Sequence, residues 1–154
     1  DKILKRGDLL LLDAGVKFNR YCSDRTRTAC FDENFNFSKE QKFKNAKMQE
    51  IYEIVKEAQA AAIKVARAGV RACEIDLAAR SVIAKAGYEK AFFHSTGHGV
   101  GVDIHELPVI SARSETLIKE GMVFSIEPGI YLENEFGVRI EDVVVAREGG
   151  CEIL

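Results

Sequence analysis

The sequence predicts an α+β domain, and three observations carry that reading. Short apolar runs broken by turn residues occupy both ends of the chain, two Ala-rich stretches with helical spacing lie between them, and 154 residues suffice for one core without disulfides. With 47% hydrophobic and 30% charged residues, the composition is that of an ordinary globular protein.

From residue 7 the chain reads GDLLLLDAG, a continuous apolar run. KFNRYCSDRTRTACF then mixes aromatic, β-branched and polar residues, which predicts a β-hairpin or pair of neighbouring strands with Gly15 near the turn. The polar segment that follows ends in Ser38-x-x-Gln41, the form of a capping box. A helix is therefore expected from about 42 to 68, where Ile51, Ile54, Val55, Ala58, Ala62 and Val65 recur at three and four and Gly69 stands as C-cap. The pattern repeats over 74–86, with Ile75, Leu77, Ala78, Val82 and Ile83 before Gly87. Beyond residue 88 the glycines of AFFHSTGHGVGVDIHELPVIS predict irregular backbone and short strands. In the tail, apolar runs at 122–126, 138–145 and 151–154 alternate with Pro-Gly, Glu-Asn and Gly-Gly turns, the pattern of an antiparallel meander.

Charge and cysteine content narrow the functional classes. The 22 basic and 24 acidic side chains are spread along the chain, leaving no basic stripe for nucleic acid. The longest apolar run, 9–12, is strand-sized, so no membrane span is expected. Four cysteines, Cys22, Cys30, Cys73 and Cys151, form no CxxC pair and read as free thiols of a reducing, cytoplasmic compartment. No secretory leader pattern is present, and the opening on Asp1 without Met suggests a piece of something longer.

Two anomalies point to chemistry. Asp13 follows four leucines, Glu127 lies in VFSIEP and Glu141 in VRIEDVVV, yet an ionised carboxylate taken out of water is costly unless paired or bound to a metal. Singly, each has a plain explanation as a turn residue or an outward-facing strand position. The three histidines, His94, His98 and His105, fall within twelve positions among glycines, and Gly97 and Gly99 flank His98. Carboxylates with a neutral imidazole suit Mn, Co, Fe or Zn, whereas structural zinc would want suitably spaced cysteines.

The strings LLDAG with YCSDRTRT, HSTGHGVGVDIHELP, GMVFSIEPGIY and GVRIEDVVV, spanning roughly residues 7 to 147, resemble the pita-bread metallopeptidases, and among them the aminopeptidase P and prolidase (Xaa-Pro dipeptidase) branch. The resemblance implies the pita-bread (creatinase/aminopeptidase-like) fold, a curved antiparallel sheet with flanking helices, incomplete at its N-terminal side. Residues 1–154 would then be the C-terminal portion of a metallopeptidase catalytic domain. It further implies a metal-dependent exopeptidase that hydrolyses the Xaa-Pro bond of short proline-containing peptides, a homodimer as the full-length protein.

By the same resemblance two divalent ions, Mn foremost with Co, Zn or Fe as alternatives, are held by Asp13, Asp24, His98, Glu127 and Glu141. Asp13 belongs to one ion, His98 and Glu127 to the other, and Asp24 and Glu141 bridge. His94 and His105 serve catalysis and substrate contact, Arg139 lines the substrate site, and Glu127 shuttles a proton between attacking water and leaving nitrogen. Methionine aminopeptidase shares the five ligands but lacks the SDxTRT form, and its last glutamate lies in a different string. A non-catalytic binding module of the same fold, or the metal-free chemistry of creatinase, fits poorly with five retained ligands. Against the family, DENFNFSKEQKFKNAKMQ is long for its place and is expected to be a surface insertion.

Overall fold

The structure is a computed structural model that describes residues 3–154; residues 1 and 2 of the expected domain lie outside the described residues. The expected α+β order is observed. The leading arm pairs β1 (Leu9–Ala14) antiparallel with β4 (Arg25–Cys30), placing Asp13 opposite Thr26. Its tip is a smaller hairpin of β2 (Lys17–Phe18) and β3 (Tyr21–Cys22). Gly15 is not the turn. The turn is Asn19–Arg20, with φ of 47° and 78°, and both residues adopt the left-handed backbone that a two-residue hairpin requires. Gly15 is needed elsewhere, because a Cβ there would strike the carbonyl of Ser23 on the returning strand. The tip is tied to the loop after residue 100 by Cys22 N–H donating to Gly101 O and Lys17 Nζ donating to Val102 O, each at 2.8 Å.

Helix α1 (Ala46–Val65) starts later than the Ser38–Gln41 signal. Asn45 is its N-cap and accepts from the N–H groups of Lys47 and Met48, while Ser38 and Gln41 bond within their own loop. That segment is not merely superficial: Lys39 reaches Asp142 at 2.8 Å, Tyr52 donates to Lys39 O, and Phe43 stacks edge-on against Tyr52. The helix ends at Ala66 in extended backbone, and Gly69, three residues on, donates instead to Ile118 O. Helix α2 (Ala72–Lys85) ends as expected, with Gly87 N–H to Ala84 O and Tyr88 N–H to Ile83 O forming a Schellman motif around φ +85°. Leu77, read as part of its apolar stripe, is exposed.

The remaining strands are β5 (Gly97–Gly99), β6 (Glu106–Ile110), β7 (Val123–Ile126), β8 (Gly129–Leu132), β9 (Phe136–Arg139), β10 (Asp142–Arg147) and β11 (Gly150–Ile153). The expected simple meander is interrupted. Five strands form an antiparallel sheet in the order β11-β10-β7-β5-β6, and the β8–β9 hairpin is inserted between its neighbours β7 and β10. The run 138–145 therefore breaks at Ile140–Glu141, where the chain leaves the hairpin and rejoins the sheet. Ile51, Val55, Ala58 and Ala62 of α1 and Ile75, Ala79 and Ile83 of α2 pack on Phe124, Ile126, Val144 and Ala146 to make one core. Burying such side chains contributes roughly 1.5–3 kcal/mol each for the larger ones.

Candidate metal centre

Each acid or imidazole is delivered by a different element. Asp13 is on β1, Asp24 immediately precedes β4, His98 is the middle residue of β5, Glu127 follows β7, and Glu141 occupies the break before β10. The glycines beside His98 admit neighbouring backbone. A Cβ on Gly97 would collide with Ser125 O, and one on Gly99 with Leu107 O, so strands β7 and β6 could not close on β5. Main-chain bonds fix the two glutamates: Glu127 N–H donates to Thr96 O at 2.7 Å and Glu141 N–H to Thr26 O at 3.1 Å.

Four of the five predicted ligands converge. Single ligand atoms of Asp24, His98 and Glu141 lie within 4.8 Å of one another, and His98 Nε2 is 3.2 Å from Glu127 Oε1 and 3.7 Å from Asp24 Oδ2. Asp13 stands at the edge, with 47% of its side chain exposed, and pairs with Arg139 at 2.6 Å. His98 Nδ1 must donate to Gly99 O, a carbonyl, which leaves Nε2 facing the acids.

The histidines left over differ. The exposed His105 meets His98 edge-on, with ring centres 4.3 Å apart. His94 has both nitrogens engaged, Nδ1 donating to Ser95 O and Nε2 at 2.9 Å from Tyr131 Oη. Tyr131 in turn accepts from Arg139, whose Nε also donates to Thr26 Oγ1, and that hydroxyl donates to Glu141 Oε2 at 2.7 Å.

Tyr131, Thr26 and Ser125 were not singled out from sequence. Ser125 Oγ donates to Glu127 Oε1 and accepts from His98 N–H. A period-two reading would have found two of them, since Thr26 is two positions from Asp24 and Ser125 two from Glu127. Tyr131 needs the β8–β9 register, which sets it diagonal to Arg139.

The electrostatics describe a site short of positive charge. Burial raises the Glu141 carboxyl to about 7, and the nearby charges of Glu127, Asp24 and Asp13 push the same way against the Thr26 hydrogen bond. Asp24 is likewise raised, by burial and then by Asp13. Burial would lower His98, but its hydrogen bond with Glu127, the Gly99 carbonyl and the surrounding acids carry it to about 9. Glu127 is held down despite burial by His98 and Ser125. Burial lowers His94. Among the described residues, two buried side-chain oxygens lack a hydrogen-bond partner, Gln59 Oε1 and Glu141 Oε1, and only the second is acidic and faces other acids. A divalent cation would satisfy that oxygen and replace the proton on His98, so the donor set fits a hard to borderline ion.

Comparisons with known proteins agree with this chemistry. The sequence profile of metallopeptidase family M24 matches residues 1–148. An Xaa-Pro dipeptidase of Pyrococcus furiosus is 48% identical over 154 residues, covering all of this chain and 41% of that protein. Among solved structures, the X-Pro aminopeptidase of Thermotoga maritima MSB8 superposes with a TM-score of 0.90 at 43% identity, over 99% of this chain and 41% of that one. The prolidase of Pyrococcus furiosus gives 0.89 at 48% identity, over 99% of this chain and 42% of that one. The chain thus spans about two fifths of the length of these relatives.

Proposed function

This chain belongs to metallopeptidase family M24 and has its pita-bread fold, and we propose that it is the C-terminal portion of the catalytic domain of an exopeptidase that hydrolyses the Xaa-Pro bond of short peptides. The observation that carries the proposal is the convergence of Asp24, His98 and Glu141, the last of which keeps one buried carboxylate oxygen without a hydrogen-bond partner among the described residues.

In this reading Asp13, Asp24, His98, Glu127 and Glu141 would hold two divalent ions, Mn foremost and Co, Zn or Fe as alternatives. When bound, such ions supply Lewis acidity and lower the pKa of water toward neutrality. Glu127, kept ionised by Ser125 and His98, is placed to take a proton from the attacking water and pass it to the leaving nitrogen. His105, exposed beside His98, is free to donate to the oxygen of the scissile carbonyl as charge develops there. Arg139 holds Asp13 and Tyr131 in place, and His94 acts through its bond to Tyr131. The four cysteines are free, as in a reducing compartment, and on that ground we place the protein in the cytoplasm.

The test is an assay of the complete, ion-loaded protein on Xaa-Pro and Xaa-Pro-Yaa peptides. Release of Xaa is expected from one of them, and which one distinguishes dipeptidase from aminopeptidase. No cleavage of either peptide with any of the four ions would overturn the reading.

A further inference from the structure

One turn of α2 carries a charge pair that the chemistry above does not use. Asp76 is completely buried. Arg80 grips it with two bonds of 2.8 Å, from Nε and Nη2. A helical ion pair four residues apart needs nothing more, yet this guanidinium continues outward. Nη1 donates to Phe92 O and Nη2 to His94 O, each at 3.0 Å, while Cζ lies 4.2 Å from the centre of the Phe92 ring. Asp76 Oδ1 also accepts from the buried Thr96 hydroxyl at 2.8 Å, and the carbonyl of that same Thr96 anchors Glu127 N–H. The fork geometry of arginine is what allows one side chain to fix two carbonyls and a carboxylate together.

We propose that Asp76 and Arg80 are positioning residues for the hydrolytic site: by holding the backbone of residues 92–96 they set where the His94 ring points and where Glu127 is anchored. With the carbonyl of His94 fixed and its Nδ1 bonded to Ser95 O, the ring has one orientation, with Nε2 on Tyr131. The consequence for turnover rests on the peptidase reading. The consequence for His94 rests on the hydrogen bonds alone.

The experiment compares Arg80→Met, which removes every donor, and Arg80→Lys, which keeps the charge but not the fork, in the complete protein. On a cleaved Xaa-Pro substrate, Arg80→Met should lower kcat about 10–100-fold with KM changed less than about threefold, and Arg80→Lys should fall between it and the parent. In a His94→Ala background the same Arg80→Met change should cost several-fold less than in the parent, the remainder being the share that runs through Thr96 to Glu127, whereas a general weakening of the fold would multiply equally in both backgrounds.

The second readout needs neither ions nor turnover. In metal-free protein labelled with ¹⁵N-histidine, the His94 imidazole, assigned by its loss in His94→Ala, should show one Nδ1-protonated tautomer in the parent and tautomer averaging in Arg80→Met. Unchanged His94 signals, or equal rate losses in both backgrounds, would overturn the proposal. If the parent cleaves nothing but the His94 signals respond, the peptidase reading fails and the hold on His94 stands. Should Arg80→Met not fold, Arg80→Lys carries both readouts.

Discussion

Two adjacent acids of this chain, Glu141 and Asp142, are both buried and are treated in opposite ways. Asp142 is closed by the protein, with Arg27 at 2.5 Å, Lys39 at 2.8 Å and Gln59 at 3.2 Å. Asp76 on α2 is closed in the same manner by Arg80 and Thr96. Glu141 has one oxygen bonded to Thr26 and the other without a hydrogen-bond partner among the described residues, and its neighbours Asp24 and Glu127 are acids. Burial is thus common to both kinds of acid, and completion of the hydrogen-bonding shell is what separates them. A carboxylate finished by arginine, lysine and hydroxyl groups holds backbone in place, while the one left open among other acids is the ligand proposed above for a cation.

The sharpest way to break this contrast is Glu141→Gln, which keeps the shape and the Thr26 contact. In the complete protein, peptide hydrolysis should fall to the limit of detection and calorimetric titration with Mn²⁺ should lose one binding step. Loss of rate with unchanged ion affinity would move Glu141 out of the ligand set. Next in size, His105→Ala should lower kcat by roughly 10²–10³ while ion content stays at the parent's, as befits a donor to developing charge. His98→Ala should lose ion and rate together. If His105→Ala strips the ion, or raises KM alone, the role assigned to it is wrong.

The closed acids should respond in stability and not in ion binding. Asp76→Asn leaves Arg80 without its buried partner and should cost about 3 kcal/mol in urea unfolding, with little change in the m-value. The smallest effect concerns pH. The Glu141 carboxyl, at about 7, binds a proton in the folded state that an unfolded glutamate, near the ordinary 4.5, has already released. Its favourable contribution is therefore present below about 4.5 and is lost as pH rises through about 7. In the chelated, metal-free protein, Glu141→Gln should consequently raise stability by about 2 kcal/mol at pH 8, the effect being shared with coupled neighbours, and by almost nothing at pH 4. A flat difference between the two proteins across that range would show that Glu141 is not charge-stressed.

Much of this was legible in the residues. The helical spacing of Ile51, Val55, Ala58 and Ala62 and the stop at Gly87 depend on local rules and appear as expected. Four of the five residues expected as ligands meet in the structure, and motif order is what told which segments carry them. What failed was competition between equivalent local signals: Ser38 and Asn45 are both good N-caps, and the later one is used while Phe43 packs on Tyr52 and its N–H bonds Gln49 Oε1. What stayed hidden was register. Asp76 and Arg80 look like any exposed i,i+4 pair until the loop 92–96 is laid across them, and Tyr131 meets Arg139 only through the β8–β9 pairing.

The bonds at the tip of the leading arm have a mechanical consequence. The arm bears Asp13 and Asp24, and its tip is latched to Gly101 and Val102, in the loop that carries His105. Acids from the start of the chain and an imidazole from its middle are thereby coupled through two bonds at the tip. Amide exchange should accordingly release the β2–β3 tip and residues 101–105 together, ahead of β4, which is fastened to Glu141 and Asp142.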